Sequence, residues 1–225
     1  MIVKISGIGV LLTITVALQA ANVFNVTGPA PFGITGEIAD VISWTQTTTF
    51  ANVTITMPLE DITAGGPISG VEGTVYLMNQ IGPGTTVANQ VAGPVSISGL
   101  TSAFSTRTLF SGLTLPPGNY FVVVVRTTTL SMAVQGSSTP TVSPGSGVTD
   151  RGDGITFSLA AFPPASSFNP NPLQLPTNIF ITVTGDPALT PTPAPSSLIL
   201  LLTGLAGVGL FAVRRRLSKT QRVTQ

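Results

Sequence analysis

Five consecutive residues, Phe121-Val122-Val123-Val124-Val125, narrow the fold more than any other stretch of the chain. Four are β-branched, and the run is too short to be a buried helix, so it suits a strand covered on both faces. Leu115-Pro116-Pro117-Gly118-Asn119-Tyr120 leads straight into it. Proline pre-sets φ, and Gly-Asn tolerates the backbone that a tight turn demands. Other strand signals repeat this rhythm. Val53, Ile55 and Met57 alternate with Thr54 and Thr56, the pattern of a half-buried strand. Val41–Thr48 (with Trp44), Gly73–Gln80, Val95–Ser98, Thr106–Leu115, Asn119–Thr128, Ser131–Gln135, Ile155–Ala160 and Asn178–Thr184 complete the set. Gly65-Gly66-Pro67, Gly82-Pro83-Gly84 and Pro144-Gly145-Ser146-Gly147 mark turns between them. The proline-rich stretch 161–178 reads as a loop crossing one end of the domain. No helical period of useful length interrupts the series. The expectation is an all-β chain: a single, jelly-roll-like β-sandwich over residues 22–190.

Composition removes several chemistries. The chain has no histidine and no cysteine. The Ser-His-Asp triad, thiol nucleophiles, disulfide staples and nearly all zinc sites are therefore excluded. Charged residues make up 8%, against about a quarter in ordinary proteins. Between residues 22 and 190 the bases are Arg107, Arg126 and Arg151, against eight acids, a net of −5. Nucleic-acid binding needs clustered Lys and Arg, so no nucleic-acid partner is expected.

The remaining positive charge sits at the two ends. Lys4, the apolar stretch Ile8–Leu18 and the small residues Ala20-Ala21 read as a secretory signal peptide over residues 1–21. At the other end, Pro191, Pro193 and Pro195 form an extended spacer, and Leu198–Val213 follows without a charge. Those 16 residues give a helix of about 24 Å, somewhat short of a hydrocarbon core of about 30 Å. Extension back to residue 197 and modest thinning of the bilayer cover the difference. Arg214, Arg215 and Arg216 then mark the cytoplasmic side. One transmembrane helix over 197–213 is expected, with the ectodomain outside and the C-terminus in the cytoplasm.

Pro193-Ala194-Pro195-Ser196-Ser197, the apolar run and the arginine cluster resemble, in order and spacing, the PEP-CTERM sorting signal of bacterial exported proteins. Ala194 stands where that family usually has Glu. The resemblance covers residues 191–225 and implies export, an inner-membrane stage and an exosortase-type processing enzyme that releases the domain to the cell surface or matrix. It also implies association with exopolysaccharide. The turn at 115–120 loosely resembles one that precedes a late strand in jelly-roll ectodomains carrying this signal.

Within the ectodomain the chemistry-bearing candidates are few. Asp150-Arg151-Gly152-Asp153-Gly154 packs two acids and two glycines into five residues. It reads either as part of a Ca²⁺ loop, with Asp150 and Asp153 as ligands, or as a solvated hairpin turn opening the strand at Ile155; the spacing, unlike an EF-hand, favours the turn. No other cofactor is expected. Glu37, Glu60, Asp61 and Glu72, with the two aspartates, are the carboxylates that a glycoside-cleaving enzyme would draw on. Trp44 and Tyr120 would stack on sugar rings if exposed, and pack in the core if not. The expectation is a non-enzymatic, membrane-anchored envelope or matrix protein. A carbohydrate-binding module is the alternative, with a carboxylate-based glycosidase behind it.

Overall fold

A computed structural model describes residues 20–35, 39–63, 70–128, 131–156 and 178–188. The chain divides after Ala188 into two units, and every described residue lies in the first. Residues 1–19 of the expected signal peptide, residues 157–177, and the whole C-terminal stretch with Pro193–Ser197 and Arg214–Arg216 lie outside the described residues, while Ala21, the last residue of that expected peptide, opens the first strand. No described helix is long and apolar enough to cross a membrane; the helical content among the described residues is one 3-10 turn, Val87–Asn89.

Among the described residues twelve strands form two antiparallel sheets. The first sheet holds β1 (Ala21–Thr27), β2 (Phe32–Ile34), β4 (Phe50–Asp61), β7 (Ser105–Leu115), β9 (Met132–Gly136), β10 (Thr141–Pro144) and β12 (Ile181–Pro187). Its order is β10-β1-β12-β4-β9-β2, with β7 also paired to β4. The twelve-residue β4 organises it: Phe50–Thr56 pairs with β12, Leu59–Asp61 with β9, and β7 runs along much of its length. The second sheet has the order β11-β3-β8-β5-β6, where β3 is Ala39–Gln46, β5 Val71–Met78, β6 Gln90–Ser98, β8 Gly118–Arg126 and β11 Val148–Thr156.

Alternation along each strand builds the interior. Val53, Ile55, Met57 and Leu59 of β4 face Ile42 and Trp44 of β3, Val75 and Leu77 of β5, and Val122 and Val124 of β8 in one buried cluster. The β8 run is covered on both faces, as its unbroken apolar character requires. Phe121 and Val123, on the other side, join Ala39, Val41, Met78 and Ile81 in a second cluster, and the Arg151 guanidinium lies 6.0 Å from the Phe121 ring centroid. The short link Pro116-Pro117 does more than reverse the chain. It carries it from β7 in one sheet to β8 in the other, so the two strands it joins are not hydrogen-bonded to each other.

Asp150–Gly154 is not a hairpin turn. It lies inside edge strand β11, paired with β3, and the register slips between Asp150 and Gly152. Gly152 supplies the positive φ of 89° at this bulge. The turn that opens the strand lies upstream, where Val148 N–H donates to the Gly145 carbonyl at 3.1 Å.

Candidate functional site

The aromatic residues belong to the core. Trp44 is 0% exposed and Tyr120 3%. Trp44 stacks between Phe24 and Tyr120, with ring centroids 5.8 and 5.6 Å apart. Both polar ends are consumed internally. Trp44 Nε1–H donates to Gln46 Oε1 at 3.1 Å, and Tyr120 O–H donates to the Pro116 carbonyl at 2.6 Å. Gln46 Nε2 in turn donates to the Leu115 carbonyl at 2.8 Å. These groups pin the β7–β8 crossover, and neither ring offers a face to a ligand, which corrects the sugar-stacking expectation for Trp44 and Tyr120.

Most of the described carboxylates of the expected set are turned into the protein. Glu60 lies partly exposed on the outer face of the first sheet, with its pKa raised by burial. The adjacent Asp61 turns inward and accepts from Thr63 N–H at 2.7 Å. Neighbouring positions of one strand point to opposite faces, so these two do not bracket a single bond. Glu72 is buried, and its Oε1 accepts from Leu100 N–H at 3.0 Å. Asp40 forms a buried ion pair with Arg126 at 2.7 Å, and Arg126 also donates to the Met132 and Ile34 carbonyls. Glu37 lies outside the described residues.

Asp150 and Asp153 are close enough to interact, but they do different work. Asp150 Oδ1 accepts from Gly152 N–H at 2.9 Å, closing the bulge. Asp153 is 1% exposed, and its Oδ2 accepts from Asn178 N–H at 2.9 Å. That bond ties the edge of one sheet to the segment entering β12 in the other. Burial, reinforced by the charge of Asp150, pushes the Asp153 pKa up to about 6 against these backbone donors. Among the described residues no group of three or more acids that could hold a metal ion forms here or elsewhere. The bulge thus brings two carboxylates of β11 near each other.

The outer face of the seven-stranded sheet carries a feature that no single segment announces. Ser143, Asn25, Thr182, Thr56 and Thr108 occupy matched positions on β10, β1, β12, β4 and β7. Asn22, Thr184 and Thr54 form a second row beside it. All eight are at least partly exposed, and all are uncharged hydroxyl or amide side chains. Thr54-Ile55-Thr56, Thr106-Arg107-Thr108 and Thr182-Val183-Thr184 were the available sequence signals. Searches of protein families, of curated proteins and of solved structures find none that matches this chain.

Proposed function

We propose that this is a non-enzymatic, exported and membrane-anchored envelope or extracellular-matrix protein. A jelly-roll-like β-sandwich is its delivered part, and residues 191–225 form a PEP-CTERM-like sorting tail. One observation carries the reading: an apolar run, Leu198–Val213, lies between a proline-rich spacer and Arg214-Arg215-Arg216, beside an ectodomain of net −5 that has no histidine or cysteine. Repeated passage of the chain between the sheets, from β3 to β4 to β5 and from β7 to β8 to β9, supports the jelly-roll description. The burial of Asp40, Asp61, Glu72 and Asp153 supports a role in contact rather than catalysis. The sandwich stands outside the inner membrane on one helix over 197–213, and an exosortase-type enzyme acts near Pro195 to release it towards an exopolysaccharide matrix.

Fractionation with intact-mass analysis tests this. The expected result is a mature protein that lacks residues 1–21 and is found either full-length to Gln225 in the inner membrane or ending near Pro195 outside it. A soluble cytoplasmic chain that retains Met1 would overturn the reading. A full-length tail persisting in the membrane, with no released form, would remove the processing step and keep the anchor.

A further inference from the structure

We propose that the outer face of the seven-stranded sheet is a docking surface for a neutral, polyhydroxylated polysaccharide. The proposal rests on the matrix reading above and deepens it by naming the polymer's chemistry and the residues that meet it.

The argument starts from register. The pairings Asn25↔Ser143, Asn25↔Thr182, Thr182↔Thr56 and Thr56↔Thr108 place five polar side chains on one line across five strands. Neighbouring strands lie about 4.8 Å apart, so the row is about 19 Å long. The second row, Thr184↔Thr54 with Asn22, lies two residues along β12 and β4, about 6.8 Å away, and three along β1, where a bulge between Asn22 and Phe24 restores the register. Thr182 O–H donates to Asn25 Oδ1 at 2.9 Å. The hydroxyls of Thr54, Thr56, Thr108 and Thr184 have no protein hydrogen-bond partner among the described residues. A threonine hydroxyl both donates and accepts, as a sugar hydroxyl does. The methyl beside it gives a small apolar contact for the C–H face of a ring. Rings of an extended glycan repeat at a spacing near that between strands, so successive sugars meet successive strands.

Charge selects among polymers. Neither row contains a charged group, and residues 22–190 carry a net of −5. A uronate- or phosphate-bearing chain would be repelled, and neither row offers a cation to hold it. A second copy of this protein is a poorer fit, because interface cores draw on aromatic and aliphatic anchors and these rows have none. Sheet twist of about 20–25° per strand limits a straight polymer to about three strands at once. The centre of the face, Thr182 on β12 and Thr56 on β4, therefore matters most. Each contact is weak, and retention comes from several sugars and several anchored copies acting together.

The test is affinity gel electrophoresis of the full-length chain in detergent, with dextran, hydroxyethylcellulose or alginate cast in the gel. The wild type is expected to be retarded by at least one neutral polymer, independently of salt, and not by alginate. The double variant Thr56→Val/Thr182→Val should lose at least tenfold in apparent affinity, while Thr149→Val on the other sheet should leave it unchanged. Trp44 fluorescence reports that both variants are folded. No retardation of the wild type by either neutral polymer, retardation by alginate alone, or retardation unchanged in the double variant would each overturn the proposal. So would a dimer, seen by sedimentation, that the double variant abolishes. A protein that fractionates as an exported, anchored chain but ignores these polymers defeats this inference alone, whereas a cytoplasmic location defeats the matrix reading.

Discussion

Asp153→Asn is expected to stabilise the protein at neutral pH and to lose that advantage in acid. The carboxyl is 1% exposed, and burial together with the charge of Asp150 raises its pKa from 3.8 to about 6. The other charged groups in this part of the sheet include Arg151, against Phe121 of β8, and the Asp40–Arg126 ion pair on β3 and β8. An acid whose folded pKa lies above its unfolded value holds its proton more tightly when folded. The stability it contributes is full below about 3.8 and is lost as pH rises through about 6. At ~1.4 kcal/mol per tenfold difference in proton affinity, the ionised carboxylate costs about 3 kcal/mol at pH 7.5. Asparagine keeps an oxygen for Asn178 N–H and removes the charge. Its amino group would occupy the place of Oδ1, which has no hydrogen-bond partner among the described residues, at a cost of about 1–3 kcal/mol. The net gain is about 0–2 kcal/mol at pH 7.5. At pH 4.5 the wild type recovers about 2 kcal/mol by protonation and the variant recovers none, so the order of stabilities levels or reverses. Urea unfolding of the full-length chain, followed by the fluorescence of its single tryptophan, measures both values. Groups that titrate alike in the two proteins cancel from the comparison. A variant less stable than wild type at pH 7.5, with a deficit that does not change at pH 4.5, would show that Asp153 is ionised and well held, and the reasoning would fail.

Two further substitutions probe the buried polar framework. Gln46→Ala strands the Trp44 indole N–H and the Leu115 carbonyl together, and should cost about 2–3 kcal/mol in urea unfolding, with a shift in Trp44 emission. Arg126→Met alone leaves Asp40 buried without its cation and should cost about 3–5 kcal/mol, whereas adding Asp40→Leu should recover much of that loss in a double-mutant cycle.

The strands legible in the sequence are those whose burial is unambiguous. The β8 run could be read because both its faces are covered, and β4 because one face is covered and the other wet. Three strands were not anticipated. β1 begins at Ala21, where small residues before a signal-peptide cut are equally expected. β2 has three residues and β10 four, too few to show a period. The loose alternation of Thr106–Leu115 has a physical cause. The β4–β7 register slips three times, helped by Asn52 at φ 51° and Gly112 at φ 69°, and each slip shifts which residues face inward. Asp150–Gly154 misleads for the opposite reason. Its residue types favour turns, and the fold spends the glycine on a bulge within an edge strand. A buried acid and a bulge on such an edge also discourage pairing with another chain.

The candidate surface was less legible than the core because it is a property of register. Residue type alone left Trp44 and Tyr120 suspended between a sugar platform and the interior. Period-2 reasoning could have decided for Trp44, since Ile42, Trp44 and Gln46 share one side of β3 and all three are buried. The threonine rows admit no such shortcut. Thr54 and Thr56 show that β4 has a polar side, but whether Thr182 or Thr184 stands beside Thr56 depends on β12, more than a hundred residues away, pairing at one offset and not another. A slip of one residue would bring Val183 against Thr56 and turn the β12 threonines inward. Asn25 and Ser143 come from β1 and β10, two of the strands not anticipated, so even a full list of the predicted strands would have held only three of the five members. What sets the row is the buried face beneath it: Val183 packs with Ile55 and Phe24 in the core, and that apolar register fixes the polar one above. Any ligand specificity on this face is therefore a consequence of core packing, and a core substitution that shifts β12 by one residue should abolish docking without touching a single exposed side chain.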